Sequence, residues 1–179
     1  MNEFPKEVVS LIVQAVEELF QANNISSIEH VEHKGSPGDG NDYCAVIGFA
    51  GEAIKGSIAV AMGLPLLEAS NPSKAMGMDV AEEDLADWLG EIANQIIGRV
   101  KNLILKYGVD FMITTPSVFH GKNINTMETK PESARKELVF KLDGFQMHLV
   151  ALINLMRPID FSVENEDAGG EEEGSSLFF

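Results

Sequence analysis

Cysteine is almost absent from this chain of 179 residues, in which Cys44 is the only one. A single thiol cannot form a disulfide within the chain, nor can it supply the paired cysteines of a Cys-x-x-Cys metal or redox site. Long apolar runs are also missing, because no stretch approaches the ~20 residues that a membrane-spanning helix needs. These absences predict a cytoplasmic protein with neither a disulfide framework nor a membrane-inserted segment.

Basic residues are scarce as well: 28 acids outnumber 13 lysines and arginines, which gives a formal net charge of −15. Such a charge repels the phosphates of nucleic acids and anionic lipid surfaces, so neither is an expected partner. Seven of the acids and no base lie in the last 20 residues, which leaves −8 on the remainder. We therefore predict one folded domain over residues 1–159 and an acidic, flexible tail over residues 160–179. The apolar end of this tail, Leu177 to Phe179, is either unstructured or a short docking peptide.

Apolar periodicity and turn residues predict an α+β fold. Helical spacing marks residues 6–24 and residues 82–106. Between them, YCAVIGFAG and IKGSIAVAMG predict a hairpin, and LPLLEASNPSKAMGM is read as a strand end followed by a short helix. A strand broken at Pro116 follows the second helix, and two further strands meet at the turn signal Asp143-Gly144. The expected architecture is therefore helices packed on a mostly antiparallel sheet.

The long second helix has two different faces when about 100° is assigned to each residue. Its apolar residues form one broad stripe, which should lie in the core. On the opposite side, Asp87, Glu91, Asn94 and Gly98 fall within about 60° of one another. Glu91 and Asn94 are neighbours at positions i and i+3. Gly98 leaves a gap on the same surface, although a glycine inside a helix costs about 1 kcal/mol relative to alanine.

Spacing alone leaves two interpretations of this polar face open. Exposed helix faces commonly carry Glu and Asn, so the face is either ordinary solvated surface or a recognition surface for a partner. In the second case Glu91 offers a charge to a lysine or a metal, and Asn94 offers a donor and an acceptor that can hold a water. An amide cannot act as a general base, so any chemistry at Asn94 would be positioning.

A second group of polar residues is a weak candidate for a metal site. His30, His33, Asp39 and Asp42 lie in or beside a loop rich in glycine. The His-x-x-His spacing suits zinc poorly on a loop or a strand, and no cysteine assists. We therefore expect no metal ligands in this chain.

The segment DWLGEIANQIIGRVKNLI, which carries the polar face, resembles the signature helix of the CheC/CheX/FliY chemotaxis phosphatases. TPSVFHG, from Thr115 to Gly121, resembles the strand and turn that follow that helix in CheX-like members. The resemblance covers roughly residues 4–156 and implies a CheX-like fold. CheC-type members carry a second Glu-x-x-Asn helix near the N-terminus, whereas the first helix predicted here has none. A single site per chain is the CheX-like pattern, and it implies a homodimer.

The resemblance implies a phosphatase that dephosphorylates a phosphorylated CheY-like response regulator. Glu91 would pair with a lysine of the receiver domain, and Asn94 would orient the attacking water. Asp87 and Gly98 would contact the partner beside them. The phosphoryl group and its Mg²⁺ belong to the receiver, so this chain is expected to bind no cofactor itself. The alternative is a non-catalytic dimeric adaptor that binds a receiver domain through the same helix face.

Overall fold

A computed structural model describes residues 4–23, 25–31, 42–121 and 133–163. In chain order these residues form α1 (Lys6–Ala22), β1 (Ile28–Val31), β2 (Tyr43–Ala50), β3 (Ile54–Met62), α2 (Leu64–Ser70), α3 (Pro72–Ala75), α4 (Glu82–Leu105), β4 (Met112–Ile113), β5 (Ser117–His120), β6 (Ala134–Leu142) and β7 (Phe145–Leu155).

The strands form one antiparallel sheet in the order β1-β6-β7-β3-β2, and β4 and β5 both pair with the outer edge of β2. β5 pairs with the first half of β2 and β4 with its last two residues. Pro116 lies between these two short strands, and because it has no N–H it cannot donate a ladder hydrogen bond. The predicted α+β fold with an antiparallel sheet is confirmed, including both hairpins and the break at Pro116.

The helices α1 and α4 pack against each other, and with the inward side chains of the sheet they enclose the main core. The stripe that was predicted to face the core is buried on α4. Fully burying a leucine or isoleucine contributes about 1.5–3 kcal/mol each, so the stripe holds α4 firmly in place. The buried residues of α4 are Leu85, Leu89, Gly90, Ile92, Ala93, Ile96, Ile97, Val100 and Ile104.

Both ends of α4 follow from the sequence. Three acids, Glu82 to Asp84, occupy the first turn, where negative charge interacts favourably with the helix dipole. The Asp84 carboxylate also accepts the backbone N–H of Ala81 at 3.3 Å. The helix ends at Leu105, and Gly108 follows with a φ of 69°, a conformation that glycine adopts without a steric penalty.

Two elements differ from the sequence prediction. Residues 64–70 form the helix α2, where the sequence predicts the end of a strand. This segment begins with a proline in the first turn, which a helix tolerates, and it buries Leu66 and Leu67. The strand β1 was not predicted, because its four residues are only half-buried or exposed and its partner β6 lies more than a hundred residues away.

Within the described ranges, no helix combines the length and the apolar character that crossing a membrane requires. The predicted acidic tail begins at Asp160, and its residues from 164 onward lie outside the described part of the chain. The boundary between the folded domain and the tail therefore stays a prediction.

Tyr43, Glu82 and His120 join the start of α4 to the edge of the sheet. The hydroxyl of Tyr43 donates to Glu82 Oε1 at 2.5 Å, and the Tyr43 ring stacks on His120 with 4.4 Å between ring centroids. His120 Nδ1 lies 3.5 Å from the same carboxylate oxygen. Burial of Tyr43, together with its hydrogen bond to Glu82, raises the pKa of this tyrosine from 10.0 to about 12.

The raised pKa of Tyr43 predicts a loss of stability at high pH. Above pH 10 the unfolded chain releases the tyrosine proton while the folded chain retains it, so the free energy of unfolding falls between pH 10 and 12. Tyr43→Phe lacks this contribution. In urea denaturation, the stability advantage of the wild type over Tyr43→Phe should be largest below pH 10 and shrink across that window. An advantage that stays constant through the window would contradict the assignment.

Candidate functional site

The polar side of α4 faces solvent, opposite the buried stripe. Asp87, Glu91 and Asn94 are exposed, and Gly98 is half-buried. The four residues fall within about 60° around the helix axis, and they are called the α4 face below. The structure therefore brings all four predicted site residues together on one surface, while their individual roles remain predictions.

Glu91 has a hydrogen-bond partner that the sequence analysis does not single out. Gln95 Nε2 donates to Glu91 Oε1 at 2.8 Å, one helical turn further along α4. Gln95 is half-buried, whereas Glu91 is exposed. One carboxylate oxygen is thus engaged within the helix, and Oε2 of the same exposed carboxylate can reach a group outside the chain. The i,i+4 neighbour rule could have found this pair from the sequence.

The two glycines inside α4 have different surroundings. A Cβ at Gly90 would lie 3.3 Å from Val118 Cγ2 and 3.6 Å from Pro116 Cγ, so this glycine allows β5 to approach the helix closely. A Cβ at Gly98 would meet nothing within 4 Å. The packing of the described chain therefore uses the small size of Gly90 but leaves open space at Gly98.

The edge strand β5 runs along one side of the α4 face. Its contact with the helix is at Gly90, and Asn94 follows Gly90 by one turn on the same side of the helix. The stack of Tyr43 on His120 fixes the end of β5 to β2 and to the start of α4. The approach of β5 to Gly90 therefore borders the α4 face one turn before the exposed Asn94.

The charge along α4 changes from negative to positive between its two halves. Exposed acids, which include Glu83, Asp87 and Glu91, occupy the first half, whereas Lys101 lies in the second half. Lys101 forms a 3.1 Å ion pair with Asp110, and its hydrogen bond to that carboxylate lowers the pKa of Asp110. The surface around Glu91 is consequently negative and would attract a partner that presents a lysine or another cation.

Two of the four residues considered for a metal site, His30 and Asp42, lie within the described ranges and outside the α4 face. His30 belongs to β1, where its ring lies 5.3 Å from that of Phe140, and Asp42 immediately precedes β2. His33 and Asp39 fall outside the described residues. The described part of the chain contains no cluster of three or more histidine, cysteine or carboxylate side chains that could hold a metal ion.

A known protein family matches the part of the chain that contains α4 and the strands around it. Residues 43–141, which run from the start of β2 to the next-to-last residue of β6, match the family model described as chemotaxis phosphatase CheX. The match spans more than half of the chain and includes the whole α4 face. No curated protein sequence matches the chain significantly.

Solved structures share the fold at low sequence identity. A CheC-like superfamily protein from Shewanella sp. PV-4 aligns with a TM-score of 0.73 and 18% identity over 84% of this chain and 99% of that chain. CheX from Vibrio vulnificus aligns with a TM-score of 0.69 and 20% identity over 83% and 99%. CheX of Borrelia burgdorferi, in a complex with CheY, BeF₃ and Mg²⁺, aligns with a TM-score of 0.64 and 19% identity over 82% and 97%. The CheX-like fold predicted from the sequence is confirmed.

The open space at Gly98 predicts that alanine will be accepted there. Because a Cβ at this position meets nothing, Gly98→Ala should raise the free energy of unfolding by about 1 kcal/mol through helix propensity alone. Urea denaturation measures this change. Gly56→Ala is the opposite control, since its Cβ would lie 2.0 Å from the carbonyl oxygen of Leu152 and should destabilise the sheet. A destabilised Gly98→Ala would mean that the fold itself needs this glycine.

Proposed function

Because the chain belongs to the CheX family of chemotaxis phosphatases, we propose that it dephosphorylates a phosphorylated CheY-like response regulator. The observation that carries the proposal is the pair Glu91 and Asn94, both exposed on a helix whose opposite side is buried. The complex of CheX with CheY from Borrelia burgdorferi supports a CheY-like partner. The proposed assembly is a homodimer with one α4 face on each protomer.

The reaction is hydrolysis of an aspartyl phosphate on the receiver domain. The oxygen of a water forms a bond to phosphorus, and the bond between phosphorus and the aspartate oxygen breaks. The aspartate leaves with the electron pair as a carboxylate. One proton of the water stays on the oxygen that is now bound to phosphorus, and the other passes to another oxygen of the released phosphate. The receiver supplies the phosphoryl group and its Mg²⁺, while this chain supplies no cofactor. Phosphoryl transfer depends mainly on positioning and on electrostatic stabilisation of the transition state.

Asn94 orients the attacking water. Its carboxamide has an oxygen that accepts a hydrogen bond and an NH₂ group that donates one, so it can fix both the position and the direction of a water. It does not remove the proton from that water. Its place on a packed helix, one turn after the position where β5 approaches Gly90, limits the movement that would misalign the water with phosphorus.

Glu91 docks the receiver through a lysine, and the rest of the α4 face accommodates the partner around that contact. The negative charge near Glu91 and Asp87 favours a cationic group and speeds association. The open space at Gly98 admits a segment of the receiver that a larger side chain would hold away. Docking and water positioning are thus assigned to two different side chains, one turn apart.

The role of Asn94 predicts a loss of turnover without a loss of folding. With a phosphorylated CheY-like receiver and Mg²⁺, the wild type should accelerate phosphate release, and Asn94→Ala should reduce that acceleration by about 100-fold or more. Asn102→Ala is the matched control, because Asn102 is an exposed asparagine two turns further along α4. Circular dichroism should show equal helix content in both variants.

Two results would contradict this assignment. Full activity of Asn94→Ala would show that the amide does not position the water. A wild type that binds the phosphorylated receiver but does not accelerate phosphate release would favour the dimeric adaptor instead.

The role of Glu91 predicts a change in receiver binding. Glu91→Ala should raise the dissociation constant for the phosphorylated receiver by about tenfold or more, which corresponds to about 1.4 kcal/mol. The loss should be smaller at high salt, because screening weakens the charge contact in the wild type. Glu18→Ala is the matched control, since Glu18 is also exposed and also accepts a hydrogen bond from a glutamine one turn away. Equal affinity of the wild type and Glu91→Ala at low salt would exclude this docking role.

A further inference from the structure

We infer that Gln95 is a positioning residue that holds the Glu91 carboxylate ready for the lysine of the receiver, an inference that rests on the proposed function. Gln95 Nε2 donates to Glu91 Oε1 at 2.8 Å. Gln95 lies about 40° further around the helix axis than Glu91. It is half-buried at the margin of the α4 face. A half-buried side chain thus restrains an exposed one.

The hydrogen bond reduces the side-chain conformational entropy that Glu91 would lose on docking. An exposed glutamate samples many rotamers, and fixing such a side chain at an interface costs conformational entropy. Gln95 imposes part of that order before the receiver arrives. Only Oε1 is engaged, so Oε2 can accept a hydrogen bond from a lysine.

A neutral donor suits this task better than a charged one. An amide restrains Glu91 and leaves its full negative charge in place, since Gln95 carries no charge of its own. A lysine or arginine at the same position would also bind the carboxylate, but it would compete with the lysine of the receiver. Residue 95 therefore combines restraint of the carboxylate with preservation of its charge.

A second glutamine–glutamate pair provides a reference for helix stabilisation alone. Gln14 Nε2 donates to Glu18 Oε1 at 2.8 Å on α1, with the same spacing of four residues and the same bond length. This pair lies outside the α4 face. In this pair the glutamine precedes the glutamate, whereas Glu91 precedes Gln95, and the order of the two residues affects what such a pair contributes to helix stability. Gln14→Met therefore shows the effect of losing a glutamine–glutamate hydrogen bond away from the α4 face, and a loss of receiver binding confined to Gln95→Met reports a role in docking.

The test replaces each glutamine by methionine, which keeps the length and helix propensity of the side chain but removes the donor. Gln95→Met should raise KM for the phosphorylated receiver by about two- to tenfold and change kcat less. Gln14→Met should leave both values as in the wild type. An unchanged KM in Gln95→Met would overturn the inference.

A double variant tests whether Gln95 acts through Glu91. In a Glu91→Ala background, Gln95→Met should cause no further rise in KM, because the carboxylate it restrains is gone. An equal rise in both backgrounds would show that Gln95 contacts the receiver directly, which would also overturn the inference.

A measurement without the receiver separates this inference from the proposed function. NMR side-chain couplings of Glu91 should report one dominant rotamer in the wild type and averaging in Gln95→Met, with Glu18 and Gln14→Met as the reference. Averaged couplings in the wild type would overturn the inference while leaving the phosphatase proposal intact. Failure of the wild type to bind or dephosphorylate any receiver would overturn the phosphatase proposal, and with it the docking role of Gln95.

Discussion

Burial of the apolar stripe of α4 between α1 and the sheet fixes the geometry on which the remaining features depend. A helix with a single apolar stripe has one favourable rotation about its axis. Turning α4 by the ~100° that separates consecutive residues would move Glu91 towards the core and bring Ile92 towards solvent. Burying an unpaired carboxylate and exposing an isoleucine are both costly. The core therefore sets the direction in which the Glu91 and Asn94 side chains point, although neither residue belongs to it.

Contacts with other elements fix the surroundings of the α4 face, and the periodicity of the helix does not predict these contacts. Gly90 allows β5 to lie against α4, and the Tyr43–Glu82–His120 cluster ties the end of β5 to the first turn of the same helix. At the other side, the indole N–H of Trp88 donates to the Ser70 hydroxyl at 3.1 Å and connects α4 to α2. A helix face supported in this way is preorganised, so a partner that binds it would spend less binding energy on ordering it.

The structural features that could be predicted from the sequence depend on local patterns of residues. The two faces of α4 and the hairpin turn at Asp143 follow from the spacing of apolar residues and from turn chemistry, which act over a few neighbours. The placement of β1 depends instead on its pairing with β6 and on Asp143, whose carboxylate accepts the backbone N–H groups of Ser26 and Ser27 at 3.2 and 2.7 Å. These partners are more than a hundred residues apart in the sequence, so no local pattern predicts their contact.

The two glycines of α4 show the same limit within one helix. In the sequence, Gly90 and Gly98 both interrupt a helical pattern at the same propensity cost, and the spacing places only Gly98 on the polar face. Their packing differs because β5 passes Gly90 and not Gly98, which depends on how the sheet is assembled. The pair Glu91–Gln95, by contrast, is a local contact, and a search for i,i+4 hydrogen bonds would have included it.

The charges of the proposed site explain why its two key side chains differ chemically. A phosphorylated receiver presents negative phosphoryl oxygens near a lysine and Mg²⁺, whereas the α4 face is itself acidic around Glu91. A carboxylate brought close to the phosphoryl group would be repelled, and the repulsion would grow as water is excluded from the interface. A carboxylate that stops at the lysine is attracted instead, and a neutral amide one turn away can approach the phosphorus without that penalty. In the proposed complex, a negative charge therefore favours docking at position 91 and would oppose approach to the phosphoryl group at position 94, which agrees with the acid and the amide that this helix presents.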